Sequence, residues 1–198
     1  MRFGKGLLAA AVIAGLASGA LADAPELSTP KLGALAFVRA MEQNNPEAFA
    51  NVTLGAEQDR KLFEPLLRMV GAAKDLEKAA RQKFGKSGRV VVRDSPAVGL
   101  EVQVQESTVT ISGDSAVVRH ASDDGSEPLT LRKTSDGWKV DLTAIQHRQE
   151  MLGAAPSMQR LEKSLSDTAA EIRSGRFKSA EEAEQTLLQR MQQASQNK

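Results

Sequence analysis

Apolar positions recur along the chain with two periods, and the points where the period switches divide it into blocks. The first block stands apart. Arg2 and Lys5 precede an apolar run from about Leu7 to Leu16, and Ala20-Leu21-Ala22 puts small residues at −3 and −1 of a cleavage point. A charged start, a short apolar stretch and small closing residues are the marks of a secretory signal peptide, here residues 1–22, and residues 23–28 read as a disordered lead.

Helical spacing begins at Thr29-Pro30, a hydroxyl cap followed by proline at the first helical position, where an N–H is not needed. Ala34, Leu35, Val38 and Met41 follow on one side, and Asn44-Asn45-Pro46 opens a second short helix through Phe49. Leu62, Leu66, Met69, Ala73, Leu76, Ala80 and Phe84 then form one stripe, which predicts a helix of about five turns capped by Gly85. Pro65 either begins that helix or kinks its first turn.

Past Gly88 the period becomes two. Val102 and Val104 alternate with polar neighbours, as do Val109 and Ile111, Leu129 and Leu131, and the set Trp138, Val140 and Leu142. This predicts half-buried strands of an antiparallel sheet. Gly113-Asp114 as a two-residue turn sets Ile111 opposite Ala116 and Val109 opposite Val118, with His120 on the same face at the open end. Asp136-Gly137 as the next turn sets Leu131 opposite Leu142 and Arg132 opposite Asp141, preferred over a register that opposes Arg132 to Lys139. Helical spacing returns after Ala144. Met158, Leu161, Leu165, Ala169 and Ile172 run to Ser174-Gly175, and Ser179-Ala180-Glu181-Glu182 is a capping box for a last helix carrying Ala183, Leu187 and Met191.

The strand block from Ser107 to Leu142, ending in Asp136-Gly137-Trp138-Lys139-Val140-Asp141, resembles the final strands of small exported members of the nuclear-transport-factor-two-like superfamily, whose sheet forms a cone. The resemblance covers about Ser28 to Thr143 and implies a fold class. The chain is expected to be α+β, with N-terminal helices packed on a curved, cone-like antiparallel sheet that wraps the helix ending at Phe84. On this reading residues 29–145 are the cone-like domain and 146–198 a C-terminal helical hairpin. It implies no activity, because that superfamily hosts enzymes and binding modules alike. Its isomerases use a tyrosine in the oxyanion hole, and this chain has no tyrosine.

Composition narrows the function further. Removing 22 residues from 198 leaves 176, enough for one domain with a sizeable core, and the chain has no cysteine for a disulfide or a lipid anchor. Without Arg2 and Lys5 the basic residues fall from 26 to 24 against 25 acidic ones, which argues against a nucleic-acid partner. The apolar run of the signal is too short to span a bilayer, so a soluble periplasmic or secreted protein is expected, with a homodimer left open.

His120 is the first candidate for chemistry, as a general base or a ligand-orienting group at the mouth of the cone, weighed against a hydrogen-bonded strand histidine. Trp138 is a candidate pocket wall, weighed against a core filler. Asp141 is an acid–base candidate that its pairing with Arg132 makes structural, and His147 belongs to a solvated helix surface. Two histidines without cysteine make a zinc site improbable, and Asp123-Asp124-Gly125-Ser126-Glu127 lacks the alternating ligands of a calcium loop and reads as a hairpin turn. Asn51-Val52-Thr53 matches a glycosylation sequon. No cofactor or metal is called for. The expected function is that of an exported, non-enzymatic binding protein for a small apolar ligand or an envelope protein. The rivals are an isomerase- or cyclase-like enzyme with His120 as base, and a scaffold or chaperone-like module acting through the C-terminal helices.

Overall fold

The computed structural model describes residues 26–93, 99–119 and 127–196. Residues 1–22, read as a signal peptide, and His120 and residues 123–126, read as part of a turn, lie outside the described residues.

Helix α1 (Pro30–Glu42) starts where its cap chemistry dictates, with the Leu32 N–H donating to Thr29 Oγ1 at 3.2 Å. Its apolar residues are not confined to one stripe. Gly33, Ala34, Leu35, Phe37, Val38, Ala40 and Met41 are all buried, and a helix apolar on every side belongs inside. Accordingly, α1 lies between the sheet and helix α3 (Glu57–Phe84). Between them, α2 (Pro46–Asn51) is capped by Asn45, whose Oδ1 accepts the Ala48 N–H at 3.0 Å.

The sheet has the order β1-β5-β4-β3-β2, with β1 Thr53–Leu54, β2 Thr108–Ser112, β3 Ser115–Arg119, β4 Leu129–Thr134 and β5 Gly137–Asp141. Strand β1 pairs with β5 in parallel and the other pairs are antiparallel, so the sheet is mixed. It sits in the middle of the chain, between an N-terminal and a C-terminal block of helices.

This overturns the expected cone. The long helix α3 has its main neighbours in helix α5 (Arg148–Arg173), in a 3₁₀ segment (Gly85–Val92) and in α1, so it is not the rod that the sheet wraps. The physical reason lies in the two apolar patterns: α1 is buried around most of its circumference, Arg39 being its exposed charge, whereas α3 offers one broad face. That face also turns by about one residue from the expected stripe. Phe63, Leu67, Val70, Ala73, Leu76, Ala79 and Ala80 are buried, while Leu62, Leu66 and Met69 are half-buried, because α3 is covered by α1 and by α5 at once. It also begins before Pro65 and runs through it.

The segment expected as the first strand is helix α4 (Leu100–Glu106). Val102, which alternation would bury with Val104, is 52% exposed, and Leu100 and Val104, four residues apart, turn toward α1 instead. The β2–β3 hairpin has its expected register, with Ile111 opposite Ala116 and Val109 opposite Val118. The β4–β5 hairpin is slipped by two residues, opposing Leu131 to Val140 and Arg132 to Lys139. A slip of two keeps every side chain on its face. It places Gly137 at the strand start rather than in the turn, and a Cβ there would lie 2.5 Å from the Leu27 carbonyl oxygen. Leu27 O accepts the Trp138 N–H at 2.8 Å, so the N-terminal segment selects the register. Arg132 still reaches Asp141 diagonally, Nε to Oδ2 at 2.7 Å.

Helix α5 runs beside α3 in the same direction, with Arg68 facing Glu162 and Arg173 bonded to Asp75. Helix α6 (Ala180–Gln196) returns along it and onto the 3₁₀ segment. Ser179 Oγ accepts the Glu182 N–H at 3.2 Å, while Glu182 Oε2 reaches back to the Lys178 N–H at 2.8 Å. Arg190 ties α6 to α5 through Thr168 Oγ1 at 3.0 Å and both Glu171 carboxylate oxygens at 2.9 and 3.0 Å. Ala169, Ile172, Ala183 and Leu187 thereby join the same core as α1 and the sheet.

Gly33 lies tight against β5, where a Cβ would stand 2.4 Å from the Trp138 carbonyl oxygen. Gly33→Ala is expected to destabilise by about 1–3 kcal/mol in denaturant unfolding, because the backbone of β5 has no side chain to swing aside. Gly153→Ala on α5, where a Cβ meets nothing within 4 Å, is expected to stabilise by about 0.5–1 kcal/mol. Equal effects of the two substitutions would refute the tight contact of α1 with β5.

Candidate functional site

Two concave regions flank the helical layer, and they differ in chemistry. The first is a cavity of about 160 Å³ between α1, α4, β3 and β4. Phe37, Val38 and Met41 come from α1, Leu100 and Val104 from α4, and Val118 and Leu129 from the sheet. Among the described residues, Ser107 and Glu127 are the polar ones that line it. Its walls arise directly from the fold: α1 presents an i, i+1, i+4 set to the sheet, and α4 lays Leu100 and Val104 over the remaining gap.

Helix α4 is a short cover. It has no side-chain cap, beginning at Gly99 in the left-handed region (φ 84°). Two polar links hold it to α1: Arg39 to Glu101 at 3.3 Å, and Lys31 Nζ donating to the Gln105 carbonyl at 2.8 Å. Ser107 closes its C-terminus, the hydroxyl donating to the Val104 carbonyl at 2.6 Å. Glu127 Oε1 accepts the Gln146 N–H, which anchors the end of the β3–β4 connection to the start of α5.

The second region is a cleft of about 780 Å³ between the end of α1, α3 and α5. Its walls carry an ion-pair chain. Lys74 Nζ lies 3.4 Å from Glu42 and 3.2 Å from Glu77, and Arg81 lies 3.0 Å from the other Glu77 oxygen. Burial holds the Glu42 carboxyl above its ordinary range, against the opposing pull of Lys74. These charges satisfy one another and hold α1 on α3, so the cleft reads as structural electrostatics rather than a reaction centre.

The sequence-predicted residues do not come together here. Trp138 is buried in the core, its ring hidden behind α1, and it is not a wall of the 160 Å³ cavity. His147 stands exposed at the start of α5 with Nδ1 3.0 Å from Glu150 Oε1, and that partner, then the charge of Glu127, raises its pKa. Asp141 is buried. Burial alone would raise its pKa, but the Thr143 hydroxyl and N–H and the Arg132 guanidinium outweigh burial and hold it low. Thr53 of the sequon is buried, with its hydroxyl donating to the Phe49 carbonyl at 2.7 Å.

Leu100, Ser107 and Glu127 escaped the sequence reading because each sits at the edge of an element. The four-residue step from Leu100 to Val104 was the available signal. Among the described residues no group of three or more His, Cys, Asp or Glu side chains is arranged to hold a metal ion, and no helix is long and apolar enough to cross a membrane. Compared with protein-family models, with curated proteins and with solved structures, the chain matches none.

The two buried carboxylates should respond oppositely to pH. Glu42 titrates above its ordinary 4.5, so its charged form opposes folding at neutral pH. Glu42→Gln is therefore expected to stabilise at pH 7, with the gain vanishing as the pH falls below that value, while Lys74 keeps Glu77. Asp141 titrates below its ordinary 3.8, so its contribution is present above that value and lost on acidification. Asp141→Asn is expected to cost about 1–3 kcal/mol at pH 7 and less at pH 3. Urea unfolding of both variants at several pH values checks the signs.

Proposed function

We propose that the chain is an exported binding protein that takes a small, largely apolar ligand into the cavity covered by α4. The cavity carries this reading: seven apolar side chains from α1, α4 and the sheet line a partly open space of about 160 Å³, and ligand sites are concave and mostly apolar. Helices α5 and α6 bury Leu165, Ala169, Ile172, Ala183 and Leu187 against α3 and the 3₁₀ segment, and leave Leu152 and Leu188 exposed. Arg2, Lys5, the run to Leu16 and Ala20-Leu21-Ala22 support export.

The volume limits the ligand. It suits roughly six to eight non-hydrogen atoms, by comparison with engineered cavities of ~150 Å³ that hold benzene. Six buried methylenes at about 0.8 kcal/mol each contribute about 5 kcal/mol before the cost of association, so a six-carbon ligand binds no more tightly than about the millimolar range.

Chemical-shift titration with hexan-1-ol is expected to perturb the methyl groups of Val104, Val118 and Leu129. Val104→Phe, which fills the space, should weaken binding by about tenfold or more, and Val104→Ala should admit a larger alcohol. Saturation that leaves those methyls unmoved, or a Val104→Phe variant that binds as well as the parent, would sink this reading.

A further inference from the structure

We propose that the cavity selects a primary ammonium on a short alkyl stem, which rests on the reading of the cavity as a ligand site. Among the described residues, the polar groups that line it are Ser107 and Glu127. The Ser107 hydroxyl hydrogen is engaged by the Val104 carbonyl at 2.6 Å, so what that oxygen has left to offer is a lone pair. One Glu127 carboxylate oxygen accepts the Gln146 N–H, and the other accepts from no described residue. Both polar walls therefore present acceptors, and one of them carries a negative charge.

An ammonium is the complementary head, with three donors, no acceptor and a positive charge. An alcohol supplies one donor. A carboxylate supplies none and meets the charge of Glu127 with its own. Among the described residues, Lys31 Nζ is engaged by the Gln105 carbonyl at 2.8 Å and Arg39 by Glu101 at 3.3 Å. His147, which feels the charge of Glu127, holds Glu150 at 3.0 Å. The apolar walls take the stem, and the volume of about 160 Å³ sets its length near six carbons.

Hexylamine, hexan-1-ol and hexanoate, matched in chain length, separate the head from the tail. At pH 7.5 and low salt, hexylamine is expected to bind about tenfold tighter than hexan-1-ol, and hexanoate more weakly than either, about 1.4 kcal/mol per tenfold step. Glu127→Gln keeps the oxygen that accepts from Gln146 and removes the charge. It should erase the preference for the amine over hexan-1-ol. Equal affinity for the three probes, or an amine preference that survives Glu127→Gln, overturns the head-group assignment while the cavity still binds. Failure of all three to bind overturns the cavity reading itself. A lysine-containing peptide that binds more tightly than hexylamine overturns the assignment to a free small amine.

Discussion

The structure depends on α1 being able to lie directly on the backbone of β5. Gly33 makes that approach, since any side chain at this position would run into the Trp138 carbonyl oxygen, 2.4 Å from where its first carbon must stand. With α1 seated, its remaining faces are apolar enough to take α3, and α3 in turn takes α5. Four layers therefore follow from one contact. The order of layers also explains why the molecule is helix-rich around a small sheet: each new helix covers the apolar face left open by the last.

The same contact sets the sheet. Leu27 reaches Trp138 because α1 begins just after it, and the Leu27 carbonyl takes the Trp138 N–H at 2.8 Å. Val52 does the equivalent for Val140 at 3.0 Å, so the outer edge of β5 is paired along its length by chain that belongs to the N-terminal helices. That leaves β2 as the open edge, with Ile111 58% exposed. The cavity under α4 is a consequence of this geometry. Helix α1 packs chiefly on β5, and the seven-residue α4 lays Leu100 and Val104 over the space beside β3 and β4.

Some of this was legible in local chemistry. Thr29, Asn45 and Ser179 all cap the helices that their spacing predicts, and Gly113, with φ 59°, turns the hairpin it was expected to turn. These features involve partners within a few residues. Arg132 and Asp141 are joined as expected although their register is not, because a long side chain reaches a diagonal neighbour as well as a direct one. The candidate site was far less legible. Trp138 is buried in the core, and of the cavity walls Val104 reads as a strand residue by alternation and Glu127 as part of a turn.

The sequence by itself determined where most helices begin and end, which residues are apolar, and the first hairpin register, since caps, turns and periodicity act over three or four positions. Only the tertiary structure decided which helix covers the sheet, that residues 100–106 coil rather than extend, and that Gly137 starts a strand instead of turning one. Each of those outcomes is settled by a distant backbone or an apolar surface elsewhere in the chain, whose free energy of contact exceeds the weak local preference of a short segment.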